Sequence, residues 1–422
     1  MKALVAVENR LWRAPEGFMV RGPAGYAVWS ELLEFFDQVL LVARVQKNKN
    51  GSIGEQVNGP SVSIHELPDF SGPWQYSLRL PAVQRRVREA VAQCDAYFLQ
   101  VPGLIAHFIW WELRRTRKPY AVNAMGDPWD ALSPGTLRTC LRPIYRLVLT
   151  RDMRRMCSHA QAALYWSQTL QQRYPVPENS YATVSPRIVL PCGFASPDLV
   201  RQRASRAHAS SGSDQDKQNL FRLGFIGSFE QLCKGPDTLL HAVHTCLRAG
   251  LEVRAFLVGE GRYCQAMESL ARELSIQDKV EFLGQLGPGR PIVDFLDSLD
   301  LFLMPSRAEG LPRALVEAMA RACPCVGSEV GGIPELLHRD DLVPPGNPQR
   351  LAAKILEAAT NPERLMQMSL RNLKKAKEFD PESLRKRRRD FYRFVKLQAG
   401  LSGARENGGI PVAKDCLPLE DR

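Results

Sequence analysis

Glu309, Glu317 and Lys234 are the side chains whose types and spacing best suit chemistry on a phosphorylated sugar. The two glutamates stand eight positions apart in the segment 305–320 (PSRAEGLPRALVEAMA), directly after an apolar run, 299–304 (LDLFLM), that reads as a buried strand. The chain then turns through Glu-Gly-Leu-Pro and opens a helix ending near Cys323. Pro312 suits the first helical position, where no backbone N–H is needed. The free N–H groups of that first turn, with the helix dipole behind them, favour an anion above the strand end. Glu309 in the turn and Glu317 in the helix frame this anion site with carboxylates. Amides for phosphates and carboxylates for sugar hydroxyls suit a nucleotide sugar. The plainer alternative is an ordinary strand-to-helix turn with a solvated glutamate behind it. Lys234 comes shortly after Gly227, which ends an earlier strand. A lysine there can pair with a diphosphate and neutralise a departing leaving group; the alternative is a solvated loop lysine.

The elements that must hold these residues alternate along the chain. In the first half, 3–7, 39–45, 96–101, 120–123, 162–166 and 187–191 read as strands. Between them, 28–36, 82–93, 104–117, 137–159 and 167–174 carry helical patterns. Such alternation predicts a parallel sheet with crossovers. Residues 195–219 lose apolar periodicity and read as a linker. A second strand–helix series begins at Phe221 and runs to about Phe379. From Pro381 a basic helix shows one apolar side through Phe391, Tyr392, Phe394, Val395 and Leu397. Beyond Ala399 the Gly-, Ser-, Glu- and Pro-rich composition predicts a disordered tail. The expected plan is a first domain over 1–195, a linker over 196–220, a second domain over 221–380, a helix over 381–399 and a tail over 400–422.

Six further segments accompany 305–320: 223–228 (LGFIGS), 234–237 (KGPD), 256–261 (FLVGEG), 280–284 (VEFLG), 330–335 (VGGIPE) and 343–348 (VPPGNP). Each alone is a common strand-end pattern. In this order they resemble family 4 retaining glycosyltransferases of the bacterial surface-polysaccharide type, over roughly 220–379; the N-terminal half resembles them only loosely. The resemblance implies an α/β fold of the GT-B kind. There, two Rossmann-like domains with parallel sheets face each other across a cleft, and the C-terminal helix crosses back onto the first domain. It also implies hexosyl transfer from a nucleoside-diphosphate sugar to a glycan or lipid-linked acceptor, in exopolysaccharide or lipopolysaccharide assembly.

On the same basis Glu309, Lys234 and Asp127 are expected to be catalytic, with donor contacts from Gly25, Gly227, Ser228, Leu283, Arg307, Gly310, Leu311 and Glu317. Three departures from the family pattern matter. Ser228 stands where an arginine is usual, and the loop on to Lys234 is one residue longer. Half of the cationic clamp is then missing or supplied by Arg307 or Arg313. Asp127 stands near a strand end where the family commonly has a histidine; it reads equally as a cap, since Asp-Pro is a turn signal. Gly25 precedes the helix at 28–36, where its amide would approach a phosphate from the opposite wall, or simply turn the chain. Leu283 reads as a base contact by main chain, or as plain core. The retaining reaction so implied needs no enzyme nucleophile, only positioning and electrostatic stabilisation.

Composition bounds the alternatives. At 422 residues with 45% hydrophobic content, two domains with two cores are expected. No stretch of eighteen apolar residues occurs, and the N-terminus reads as a first strand rather than a signal peptide. Ten scattered cysteines without metal or redox spacing read as reduced thiols in a cytoplasm. The seven histidines are dispersed, and Asp214-Gln215-Asp216 lies in the linker with no strand before it, so no metal site and no cofactor beyond the nucleotide-sugar co-substrate is expected. The net charge is +11, and residues 1–200 hold 23 Lys/Arg against 16 Asp/Glu. Between Pro134 and Arg155, six arginines interleave with apolar residues and meet one acid, Asp152. That pattern suits peripheral contact with the anionic inner face of a membrane. Two rivals remain at this point: a GT-B sugar-nucleotide epimerase, and a non-enzymatic basic module binding anionic lipid or nucleic acid. No nucleic-acid motif accompanies the arginines, and none is expected as partner.

Overall fold

In the computed structural model, residues 1–20, 24–47, 54–70, 72–132, 141–190, 193–209, 220–287 and 289–406 are described. In chain order the first half holds β1 (Lys2–Ala6), β2 (Leu11–Ala14), β3 (Gly17–Val20), α1 (Tyr26–Ser30), β4 (Gln38–Lys47), β5 (Glu55–Gln56), β6 (Val62–Pro68), α2 (Gly72–Ala92) and β7 (Ala96–Val101). There follow α3 (Leu104–Thr116), β8 (Ala121–Ala124), α4 (Pro128–Ala131), α5 (Arg142–Cys157), β9 (Ala162–Tyr165), α6 (Gln168–Arg173), β10 (Tyr181–Val184) and α7 (Pro197–Ala209). The second half holds β11 (Phe221–Ile226), α8 (Pro236–Arg248), β12 (Val253–Val258), α9 (Cys264–Glu273), β13 (Val280–Gly284), α10 (Arg290–Asp297), β14 (Leu301–Met304) and α11 (Arg313–Ala320). It closes with β15 (Cys325–Ser328), α12 (Ile333–Leu336), β16 (Leu342–Val343), α13 (Pro348–Ala359), α14 (Pro362–Ala376) and α15 (Pro381–Glu406).

The second sheet runs β13-β12-β11-β14-β15-β16, and every pairing in it is parallel. Its order reverses between β11 and β14, which places a crevice outside the carboxyl ends of those two strands. The first sheet runs β10-β9-β8-β7-β1-β4, with β6 also on β4, and its switch lies between β1 and β7. Strands such as Leu301–Met304 are buried at every position. Helices on both faces leave no solvated side, so these strands read as continuous apolar runs rather than alternating ones. The expected architecture of two parallel-sheet domains is therefore present. Helix α15 crosses back as expected: Phe391, Tyr392 and Val395 join the first-domain core beside Phe98, while Leu384 belongs to the second.

Several local expectations change. The linker expected over 196–220 contains α7, which lies against α14. Arg203 ties it to the carboxyl ends of α10 and α11 as well: its guanidinium donates to the carbonyls of Leu299, Leu296 and Arg321 at 2.5, 2.7 and 3.2 Å. A helix anchored by one buried arginine shows little apolar periodicity. The C-terminal helix continues to Glu406, seven residues beyond the expected end at 399, and residues 407–422 lie outside the description. Of the strand expected at 187–191, residues 187–190 form none and Pro191 lies outside the described residues; β10 pairs with β9 instead. Tyr181 of β10 stacks on Phe394 of α15 with ring centroids 5.3 Å apart, so this strand is covered by a helix more than two hundred residues away. The first sheet also carries an antiparallel addition, β2–β3–β5. Helix α5 starts at Arg142, and Arg138 lies outside the described residues.

Candidate active site

Lys234 and Glu309 meet at the switch point of the second sheet. Lys234 ends a short 3-10 turn after β11, and Glu309 lies in the turn after β14, the strand beside it. The ammonium donates to both carboxylate oxygens at 2.7 Å, and the Ser306 hydroxyl donates to Oε1 at 2.7 Å. Ser306 is fully buried and Glu309 is 9% exposed, so this carboxylate depends on its partners rather than on water.

Two glycines let the loops come this close. Gly235, at φ +71°, sits where a Cβ would stand 2.0 Å from the Pro305 carbonyl oxygen. Gly331, at φ +53°, packs on the Glu309 carbonyl oxygen, which a Cβ would approach to 2.1 Å. Only glycine tolerates both the left-handed backbone and the contact. Pro312 is the N-cap rather than the first helical residue: its ψ of 109° is extended, and helical geometry begins at Arg313. Helix α11 buries Leu315, Val316, Ala318 and Met319, which fixes the face that Glu317 occupies. Glu317 is partly buried and has no side-chain hydrogen-bond partner among the described residues. Burial pushes its pKa up from 4.5, and nearby Arg313 only partly offsets this.

Arg307 does not face an open phosphate site. Its guanidinium grips Asp237 at 2.6 and 2.8 Å and donates to Leu232 O at 2.8 Å and Thr238 Oγ1 at 3.1 Å. Its backbone N–H donates to Cys233 O at 2.6 Å. One residue thus binds the lysine-bearing turn to the glutamate-bearing turn. Arg313 is exposed. Ser228 is also exposed, and its hydroxyl accepts from Glu230 N–H at 3.2 Å. The Gly227 N–H is taken by Val258 O at 3.0 Å. Leu311 is buried, which leaves its backbone as the group available to a ligand, and partly buried Leu283 packs on the same core.

On the opposite wall, Asp127 is 4% exposed and fully engaged. It caps α4 through Trp129 N–H at 2.8 Å, accepts from the Tyr174 hydroxyl and pairs with Arg173. The capping alternative is the one the geometry supports, so Asp127 is a scaffold residue rather than a free catalytic carboxylate. Its loop nonetheless reaches the site: a Cβ on Gly310 would stand 2.6 Å from Met125 O. The Gly25 N–H is already bonded to Glu55 Oε2 at 3.0 Å, and α1 behind it has only five residues, so that amide is not open to a phosphate. Arg21 to Pro23, ahead of it, lie outside the described residues. Sequence reasoning assigned no role to Asp237, Arg173, Tyr174 or Glu335. Asp237 stands in a motif already noted, but its partner is 70 positions away and nothing local reveals it.

Residues 221–361 match the family model described as Glycosyl transferases group 1, which covers the second domain and not the first. The chain is 21% identical to Protein CapJ of Staphylococcus aureus over 361 residues, 85% of this chain and 87% of that protein. It is 37% identical to the amylovoran biosynthesis glycosyltransferase AmsK of Erwinia amylovora over 132 residues, 29% of this chain and 32% of that one. Among solved structures, Anabaena Alr3699/HepE in complex with UDP and glucose superposes with TM-score 0.58 at 18% identity, covering 96% of this chain and 99% of that chain. WaaG, a glycosyltransferase involved in lipopolysaccharide biosynthesis, superposes with TM-score 0.58 at 15% identity over 94% and 99%. At such identities the likeness shows the fold, and that fold is GT-B.

Proposed function

We propose that this GT-B glycosyltransferase moves a hexosyl group, with retention, from a nucleoside-diphosphate sugar to a glycan or lipid-linked acceptor, as a family 4 enzyme of surface-polysaccharide assembly. The observation that carries this reading is the Lys234–Glu309 pair at the carboxyl ends of β11 and β14, within the span that matches the group 1 family. In the proposed reaction the acceptor oxygen bonds to the anomeric carbon as the bond from that carbon to the diphosphate oxygen breaks. The electron pair leaves with the nucleoside diphosphate, and a phosphate oxygen on the same face takes the acceptor's proton. An ammonium has three N–H groups, and Glu309 engages at most two of them. The third is free for the diphosphate, where it offsets the charge that develops on the leaving group. Glu309 orients that ammonium and accepts from a sugar hydroxyl; Glu317 serves the hydroxyls of the nucleotide. Ser228 and the backbones of Gly227, Gly310, Leu311 and Leu283 line the donor wall, and Arg307 positions it.

The same reading places the enzyme on the inner face of a membrane. No helix among the described residues is long and apolar enough to cross one. Instead the outer face of the first domain exposes Trp111, Trp129, Ile144, Leu147 and Val148 among arginines, which favours surface contact with anionic lipid.

A donor screen that detects released UDP or GDP, with and without membrane lipid extract, tests the reaction. Release should depend on both sugar nucleotide and lipid extract; no release from any donor would remove the assignment. Transfer should also survive excess EDTA, because Lys234 and loop amides meet the leaving-group charge. Loss of transfer on chelation with rescue by manganese would overturn the metal-independent form of the proposal.

A further inference from the structure

The cleft is bridged twice beside the Glu309 turn. Glu335, on α12 of the second domain, accepts from the backbone N–H groups of Gln168 at 2.8 Å and Thr169 at 2.6 Å, at the start of α6 in the first domain. At the second bridge, Gly310 approaches Met125 O so closely that a Cβ would stand 2.6 Å from it. The bridges are tied together on both sides. In the second domain the Gly332 N–H donates to Gly310 O at 2.7 Å, three residues before Glu335. In the first domain α6 ends in Arg173, which pairs with Asp127 and Asp130, and Tyr174 also donates to Asp127, two residues from Met125. Contacts thus run in a ring from Glu335 through α6, Asp127, Met125 and Gly310 back to Glu335.

We infer that Glu335 is a positioning residue for transfer: its carboxylate latches the second domain onto α6 and sets the Glu309–Gly310 turn against the Met125–Gly126 loop. The chemistry suits a reversible latch. The N-cap of α6, Ser167, already serves Leu170 N–H at 3.2 Å and leaves the Gln168 and Thr169 groups without an intrahelical acceptor. In an open cleft water takes these groups, and on closure a carboxylate replaces it, favoured by charge and by the helix dipole. Gly126 has no atom within 4 Å of where a Cβ would lie, so space remains beside the closed turn. The kinetic consequence rests on the proposed reaction; the latch itself does not.

The test uses the full chain with one spin label in each domain, in the wild type and in Glu335→Ala, Glu335→Gln and Glu335→Asp. Glu335→Ala should lengthen and broaden the interdomain distance and lower turnover by about tenfold to a hundredfold, as for a lost pair of hydrogen bonds to a charged acceptor. Its affinity for UDP or GDP should be unchanged, since the proposed nucleotide contacts lie in the second domain. Glu335→Gln, with one acceptor oxygen, should fall between, and Glu335→Asp should recover part of the turnover. An unchanged distance distribution in Glu335→Ala overturns the latch. So does a loss of nucleotide affinity as large as the loss of turnover, which would make Glu335 a local support of the second domain. If the wild type transfers no sugar at all, the proposed reaction fails, and the distance measurement still decides the latch.

Discussion

Removing Lys234 and removing Glu309 are unequal perturbations, although the two side chains form one pair. The Glu309 side chain is 4% exposed and that of Lys234 is 29% exposed. Lys234→Ala leaves a buried carboxylate with Ser306 as its remaining partner, whereas Glu309→Ala leaves an ammonium that water can reach. Both variants should lose about tenfold to a hundredfold in nucleoside diphosphate release. Lys234→Ala should also lose stability, by about 2 kcal/mol, measured as an earlier denaturant midpoint; Glu309→Ala should lose less, because the buried group it orphans is the neutral Ser306 hydroxyl rather than a charge. Glu317 differs again. Burial raises its pKa, so it takes up a proton at a higher pH than an ordinary glutamate at 4.5. On acidification the wild type should lose affinity for UDP or GDP above pH 4.5 more steeply than Glu317→Gln, which has no carboxylate to neutralise. For stability the sign is opposite. The folded state holds this proton more tightly than the unfolded chain, so stability declines as pH rises from 4.5 through the raised pKa, and Glu317→Gln should lack that decline.

At the scale of elements, the site is two strand-end turns clamped by one side chain. Arg307 ties the turn before α8 to the turn before α11 through Asp237, Thr238 and two carbonyls. Lysine has the charge but not the planar fork, so Arg307→Lys keeps at most part of this set. With the clamp loosened, Lys234 and Glu309 drift from register while both strands remain. Arg307→Lys and Asp237→Asn should each lower kcat by about tenfold, the effect of one lost charge-assisted hydrogen bond, with circular dichroism unchanged. Full activity in both would reduce Arg307 to a surface support. The capping Asp127 and the docked α7 follow the same rule: a side chain buried at an element boundary fixes the placement of the whole element.

At the scale of the molecule, the two faces of the first sheet are unlike. Helix α15 covers one, where Phe391, Tyr392 and Val395 are buried. Helices α2, α3 and α5 cover the other and send Val87, Ile109 and Met153 inward while Leu78, Trp111, Ile144 and Leu147 stay exposed. The arginines of this face divide by role. Arg142 bonds to Leu132 O at 3.1 Å, and Arg146 bonds to Trp129 O at 2.7 Å and lies 3.7 Å over the Trp129 ring. Arg151, Arg154 and Arg155 are exposed. Replacing these three by Gln should weaken sedimentation with anionic vesicles by about 1 kcal/mol each and leave nucleotide affinity alone. Ile144→Ser with Leu147→Ser should weaken the salt-resistant remainder. A wild type that ignores anionic vesicles at low salt would remove the membrane reading and leave the donor site untouched.

The residue strings alone were enough to place the Glu309 turn between a buried strand and a helix. A buried strand, a Glu-Gly-Leu-Pro turn and a helix depend on backbone preferences within a few residues, so 305–320 is legible without any tertiary contact. Strand runs buried on both faces likewise announced parallel sheets under helices. Partners were another matter. Lys234 and Glu309 are 75 positions apart, Arg307 and Asp237 70, and Asp127 and Tyr174 47. Which of these side chains stay free for a ligand depends on which strand ends lie side by side, a property of strand order and domain closure. For that reason Glu309 meets Lys234 and Ser306 at the strand ends, while Asp127, Arg307 and Gly25 are committed to partners within the protein. Glu335, unremarkable in its own segment, reaches across the cleft only because the two domains close there.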